Sequence, residues 1–255
     1  MNKKILISLC VIGAVAAIVV GGTIAYFSDT ETSTGNTFTA GSLDLLVDNT
    51  CYYNGAPCPE PTDIETTWES TNLGVAHKFF YFTDVKPGDS GEDTISLTVD
   101  NDACLQLVIG GLVDNDNTCT EPEGVAENDV TCGTGSEPAG ELQQNVLFTM
   151  WLDQGVTPGF QGPQDLGECD NDWNNFPELF EPVIISEGPI DEGGETWDLY
   201  QYGNAYLFAD QKACFGVSWR VPSTVGNEIQ SDSLVGNMTF NVIQHRHNET
   251  CSFTQ

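Results

Sequence analysis

The chain has 255 residues, with 38 Asp and Glu against seven Lys and Arg and a formal net charge of −31. Such an acid load repels nucleic-acid phosphates and anionic bilayer surfaces, which excludes both as partners. Hydrophobic residues make up 40% and include five Trp, seven Tyr and thirteen Phe, enough for a packed core.

Lys3-Lys4 precede an uncharged stretch that runs from Ile5 to Ser28. This reads as a basic n-region, an apolar h-region to Val20, a Gly21-Gly22 break and a small-residue exit at Thr23-Ile24-Ala25. The expected organisation is a signal peptide over 1–25, cleaved between Ala25 and Tyr26, then an N-terminal segment over 26–38 and one β domain over 39–255. Left uncleaved, a segment of this length would span a bilayer. Removing it leaves five Lys and Arg against 38 acids, a net charge of −33.

Tyr26 to Phe38 lacks proline and carries Thr30, Thr32, Thr34 and Thr37, so it suits an extended strand. Downstream, alternation at period two dominates. Leu43, Leu45 and Val47 share a strand face, and Lys78–Asp84 (KFFYFTD) reads as an aromatic-rich strand. Val85-Lys86-Pro87-Gly88-Asp89-Ser90-Gly91 is turn chemistry. Ile95, Leu97 and Val99 alternate, as do Leu105, Leu107 and Ile109. Gln144–Asp153, Tyr206–Ala209, Ala213–Val221 and Met238–Gln244 complete eight to ten strands. Asp114–Glu141 and Gly155–Asn175 are acidic, Gly-rich and poor in apolar residues, so they read as surface insertions. The expected class is an all-β sandwich with long loops.

Cys10 leaves with the leader. The remaining eight (Cys51, Cys58, Cys104, Cys119, Cys132, Cys169, Cys214 and Cys251) are an even set in an exported chain, hence disulfides. Short loops favour Cys51–Cys58 and Cys119–Cys132 among 105 possible pairings. Asn237-Met238-Thr239 and Asn248-Glu249-Thr250 are glycosylation sequons at Asn237 and Asn248. Asp114-Asn115-Asp116-Asn117 offers alternating oxygen ligands through Asp114 and Asp116, a calcium candidate without the Gly and closing Glu of an EF-hand loop. No other cofactor is indicated. His245-Arg246-His247 reads as an i, i+2 imidazole pair on one face of a terminal strand. There is no His-Glu-x-x-His, Gly-x-Ser-x-Gly or Gly-x-x-x-x-Gly-Lys, so no catalytic residues are assigned. Trp219 reads as core, with Arg220 facing carboxylates of a neighbouring strand.

Three blocks carry a family resemblance. The first is Ala25-Tyr26-Phe27-Ser28-Asp29-Thr30-Glu31, followed by Gly35-Asn36-Thr37-Phe38-Thr39-Ala40-Gly41-Ser42-Leu43-Asp44-Leu45. The second is Val85 to Gly91, leading through a strand to Asn101. The third is Trp219-Arg220-Val221-Pro222, then Gly226 to Ser233, Phe240 and Gln244 to Asn248. Together they resemble the TasA/camelysin family of secreted proteins, which are processed by a dedicated signal peptidase. Eight cysteines and acidic insertions bring the chain nearer in character to archaeal bundling pili.

The resemblance implies a jelly-roll sandwich outside the cell or on its surface, whose subunits polymerise head to tail by donor-strand complementation. Tyr26, Phe27, Asp29, Thr30, Thr32, Thr34 and Phe38 would belong to the donated strand, with apolar slots on the acceptor taking the aromatic rings. The same family implies a metalloprotease alternative, while Tyr52-Tyr53 and Trp173 would serve as stacking platforms in a carbohydrate-binding alternative.

Overall fold

The computed structural model describes residues 42–118, 123, 140–155, 169–173, 175–176, 179–189, 194–203 and 206–253. The leader, the 26–38 segment, Cys119 and Cys132 lie outside them. Strands dominate: β1 (Leu45–Tyr53), β2 (Ala56–Pro57), β3 (Trp68–Thr71), β4 (Ser90–Val99), β5 (Ala103–Asn115), β6 (Leu147–Leu152), β7 (Asn175–Phe176), β8 (Leu179–Phe180), β9 (Val183–Gly188), β10 (Glu195–Asp198), β11 (Lys212–Arg220) and β12 (Ser233–Gln244). Two four-residue helical turns, α1 (Leu142–Asn145) and α2 (Tyr200–Gly203), interrupt them. Among the described residues no helix is long and apolar enough to cross a membrane.

The larger sheet runs β2-β1-β4-β11-β6-β9, with β3 also paired to β1, and the smaller runs β10-β5-β12. The pairs within both are antiparallel. β4 lies beside β11 and β5 beside β12, so the chain crosses between sheets instead of meandering. The class is all-β, as the alternation in the sequence implies. The period-two pattern aims Val47, Ile95, Leu97, Phe215 and Val217 from the larger sheet at Leu105, Leu107 and Ile109 of the smaller, in one core. Phe215 of β11 meets Phe240 of β12 at 5.9 Å between ring centroids.

Two glycines are required by close approach. A Cβ on Gly91 would lie 2.4 Å from the Trp219 ring nitrogen, and one on Gly216 would lie 2.1 Å from the Trp151 ring. Both indoles lie flat over a neighbouring strand, and only a bare α-carbon leaves room beneath them.

Some elements differ from the sequence reading. Lys78–Asp84 forms no ladder. Its rings instead plug the core edge, Phe79 against Trp68 and Phe240, Phe80 against Phe148, and Phe82 against Tyr53 and Trp219. Aromatic residues are as favourable in a plug as in a strand, so composition did not separate the two. Tyr206–Ala209 gives a single bridge, Leu207 to Ala103. The Gln144–Asp153 stretch opens in helical turn α1 and becomes strand only at Leu147. β12 starts five residues earlier than the alternation suggested, at Ser233.

Asp93 of β4 faces the core. Asp93 is fully buried beside Asn49, whose Nδ2 donates to it at 3.1 Å and to the Thr66 carbonyl at 2.7 Å. Desolvation holds its carboxyl well above the usual range. Burial likewise raises Asp153, at the end of β6, to about 6. An acid raised in the folded state keeps a proton that the unfolded chain has released. Stability therefore falls as pH rises from about 4 towards the folded values. Replacing Asp93→Asn keeps the shape without the ionisation. Urea midpoints between pH 5 and 8 should decline less for D93N than for the wild type; parallel declines would show that Asp93 ionises without cost.

Candidate functional site

Among the described residues, the smaller sheet has an undefended edge. There β12 pairs with β5 along one side only, and no described strand pairs its other side. It is 12 residues long, SLVGNMTFNVIQ, with neither a charged residue nor a proline. The other outer strands are short and carry charge or proline: β10 has Glu195 and Asp198, β9 has Glu187, and β2 has Pro57. Charges and prolines are what normally keep sheet edges from pairing with other chains. β12 has only a register shift between Val235 and Asn237.

Its register aims Met238, Phe240 and Val242 inward, opposite Ile109, Leu107 and Leu105. The β5 partners are buried, yet all three β12 side chains are only half-buried. Among the described residues, no strand covers the flank of this inward stripe. That flank is a groove of about 240 Å³ lined by Leu45, Val47, Leu73, Met238, Thr239 and Phe240. β1 and the loop after β3 supply one wall, and β12 supplies the other. A second cavity of about 310 Å³ lies between β9 and β10, lined by Ile184, Ile185, Ser186, Pro189, Glu195 and Trp197.

The root of the domain is fixed beside the groove. Ser42 Oγ donates to Asp100 Oδ2 at 2.9 Å, and the Asp44 amide donates to Asp100 Oδ1 at 2.7 Å. Asn101 Nδ2 donates to the Ser42 carbonyl at 2.7 Å. The Asp44 amide and then the Ser42 hydroxyl hold the Asp100 carboxyl below its usual range.

A different chemistry sits at the start of β12. Asp116, Glu123 and Asp232 bring carboxylate oxygens within 4.8 Å of one another, with Glu123 fully buried. Asp232 Oδ2 accepts from the Glu141 and Leu142 amides at 2.7 and 3.1 Å. Its carboxyl is raised to about 7, by burial first and then by Asp114, Glu141 and Glu123. Asp114 itself accepts from the Gln143 amide at 2.9 Å. These are the described residues that could hold a cation, and an all-carboxylate set suits calcium rather than zinc. Without a cation such a cluster retains a proton near neutrality. Of the two calcium candidates in the sequence, Asp116 belongs to the triad and Asp114 acts on it through charge. Glu123 and Asp232 were not legible, since Asp232 lies more than a hundred residues from Asp116 and no spacing rule links them.

The other sequence candidates fall as follows. Cys51 is bonded to Cys58, Cys104 to Cys251 and Cys169 to Cys214. Asn237 is exposed on β12, while the Asn248 amide is engaged, its Nδ2 donating to the Ser252 carbonyl at 3.2 Å and its Oδ1 accepting from the Ser252 amide at 3.0 Å. The His245/His247 pair does not share a strand face. β12 ends at Gln244, the Asn248 amide closes a turn on the His245 carbonyl, and His247 takes φ +67°. His245 stacks on Tyr206 instead. Among the described residues no histidine joins a group of three metal-ligating side chains. Tyr53 is no platform, because its ring stacks on Phe82 and Trp219 and its hydroxyl donates to Asp89. Tyr52 and Trp173 are exposed. Trp219 is core, and Arg220 pairs with Glu187 of β9, two strands away. Ala25, Tyr26, Phe27, Asp29, Thr30, Thr32, Thr34 and Phe38 lie outside the described residues.

The Cys104–Cys251 bond ties β5 to the chain just beyond β12 and closes a loop with sequence separation 147. Removing it through Cys104→Ser with Cys251→Ser should lower unfolding stability by about 2–5 kcal/mol. Denaturant titration measures this, and an unchanged midpoint would show that the smaller sheet holds its edge strand unaided.

The family model described as Camelysin metallo-endopeptidase matches residues 1–56, from the leader through β1. No curated protein matches the chain. Three disulfides fit an oxidising, extracellular setting. Residues 57–255 lie beyond the match, so the likeness is carried by residues 1–56 alone: at that level the chain is similar to the camelysin family, consistent with a secreted, TasA-like protein.

Proposed function

We propose that the chain is the structural subunit of an extracellular filament, in which residues 26–38 of one molecule pair with the open β12 edge of the next. The observation that carries this reading is the 12-residue edge without charge or proline, lying over a half-covered apolar stripe. Lengths agree. At about 3.4 Å per residue, β12 and the thirteen-residue segment each extend roughly 40 Å. Main-chain hydrogen bonds would supply affinity along the edge. Tyr26, Phe27 and Phe38 are the segment's large apolar side chains for a groove walled by Leu45, Val47, Met238 and Phe240. Each subunit gives a strand and receives one, so the contact propagates without closing.

The like charge of the subunits opposes assembly and is screened over about 8 Å at physiological ionic strength. Filament yield should therefore rise with salt, and more steeply with calcium. Light scattering of the mature protein across both series measures it, and a flat or falling response counts against the reading. Deleting residues 26–38 should leave the circular dichroism and unfolding midpoint within error of the full mature chain while abolishing threads in electron microscopy. Threads from the deleted protein would end the proposal.

The name of the matched family favours a second reading, a secreted metallo-endopeptidase. The triad of Asp116, Glu123 and Asp232 offers oxygen ligands only. Casein hydrolysis by the purified protein, lost with a chelator and regained with zinc, would establish that reading in place of a purely structural one.

A further inference from the structure

The β12 edge is electrically polarised along its length. At its start, Asp232 directly precedes Ser233 and sits with Asp116 and Glu123, while Asp114 and Glu141 add to the same field. At its other end the chain runs from Gln244 into His245, Arg246 and His247. With Asp102 and Glu249 nearby, that end holds two acids and one cation, against five acids at the start of the strand.

Cations are scarce enough to count individually. Lys86 pairs with Asp84, Lys212 with Asp48 at 3.1 Å and Arg220 with Glu187. Lys78 and Arg246 are exposed and, among the described residues, have no carboxylate partner. Lys78 adjoins Phe79, whose ring packs on Phe240 in the groove wall. Arg246 stands two residues beyond the end of the open edge, and the His245 amide donates to the Asp102 carbonyl at 2.9 Å to hold that end in place. Both unpartnered cations thus belong to the surroundings of the groove.

The 26–38 segment is polarised as well. Asp29 and Glu31 fall in its first half, and Thr32 to Phe38 carries no charge. We infer that the segment enters antiparallel to β12, with Asp29 and Glu31 beside Arg246 and its uncharged half beside the carboxylates of Asp116, Glu123 and Asp232. The parallel entry would set two acids against the acid cluster. Opposed charge patterns of this kind select register and orientation more than they add affinity. Arg246 is then the residue that sets the direction of insertion, and hence the polarity of the filament. This inference rests on the donor-strand reading.

The test uses the full mature chain at low, fixed ionic strength. Arg246→Glu should raise the concentration needed for filament growth by about fivefold, the upper range for an exposed ion pair. Adding Asp29→Lys and Glu31→Lys to that variant should restore growth, although Asp29→Lys with Glu31→Lys alone impairs it. In filaments of Arg246→Lys, carbodiimide should join the new amine at position 246 to Asp29 or Glu31 of a neighbouring subunit, as read by mass spectrometry. If wild-type filaments form, the deletion of 26–38 abolishes them, and the charge variants and cross-links show no such pattern, the orientation is overturned while the donor strand stands. If the wild type forms no filaments, or the deleted chain still does, both fall together.

Discussion

Among the described residues, one side of β12 presents its backbone amides and carbonyls to no neighbouring strand, and the proposed assembly turns on those groups. An edge strand leaves half of its amides and carbonyls to water, and this is tolerable only while nothing better offers itself. In β12 the condition is sharpened, because the same strand holds Met238, Phe240 and Val242 at half cover over the main core. A pairing strand would satisfy the polar edge and shield the apolar flank together. Few surface features gain from both terms at once. The acid coat supplies the opposing force. In the proposed assembly, repulsion from the net charge would act over the screening length of about 8 Å, whereas strand pairing acts only at contact, so the charge would suppress random encounters more than the seated complex.

That coat extends inward. Asp93 in the β4 face, Asp153 at the end of β6 and Asp232 before β12 are all raised, each first by burial. The scarcity of cations explains why they are not neutralised by ion pairs. Protons, amide donors and neighbouring asparagines do that work, as when Asn49 donates to Asp93 and the Asn171 amide to Asp153. Two disulfides anchor segments around these groups. Cys51–Cys58 closes the β1 hairpin opposite Asp93, and Cys169–Cys214 holds the 169–171 backbone against Asp153.

Alternation made β1, β4, β5 and β11 legible, because each has one face in the core and period two leaves a clear trace. Cys51–Cys58 was also within reach, as a short loop limits its partners. Cys104–Cys251 was not, since the chain between them carries no record of their distance. The aromatic run Lys78–Asp84 misled because burying rings requires only that they be close to the core, not that their backbone join a ladder. Composition does not show that β12 lies at an edge, because strand order is set by crossovers it does not encode. The absence of charge in Ser233–Gln244 is plain in the sequence; it gains meaning because, among the described residues, no strand pairs the other side of β12.

The position of Ser42 links giving a strand to receiving one. Its hydroxyl and carbonyl are fixed by Asp100 and Asn101, so the described body begins at an anchored point rather than a loose one. Three residues later Leu45 forms part of the acceptor wall, in the same strand as Val47. In the proposed assembly, a segment entering the groove would therefore touch the strand that follows the acceptor's own segment in sequence. Packing against Leu45 and Val47 would stiffen the root of β1 and reduce the freedom that the departing segment has left to lose when it enters the next molecule. Ordering a chain beforehand lowers the entropic cost of its later binding. In the proposed filament, growth at an occupied end would thereby be favoured over the pairing of two empty subunits, which is the condition for few, long filaments instead of many short ones.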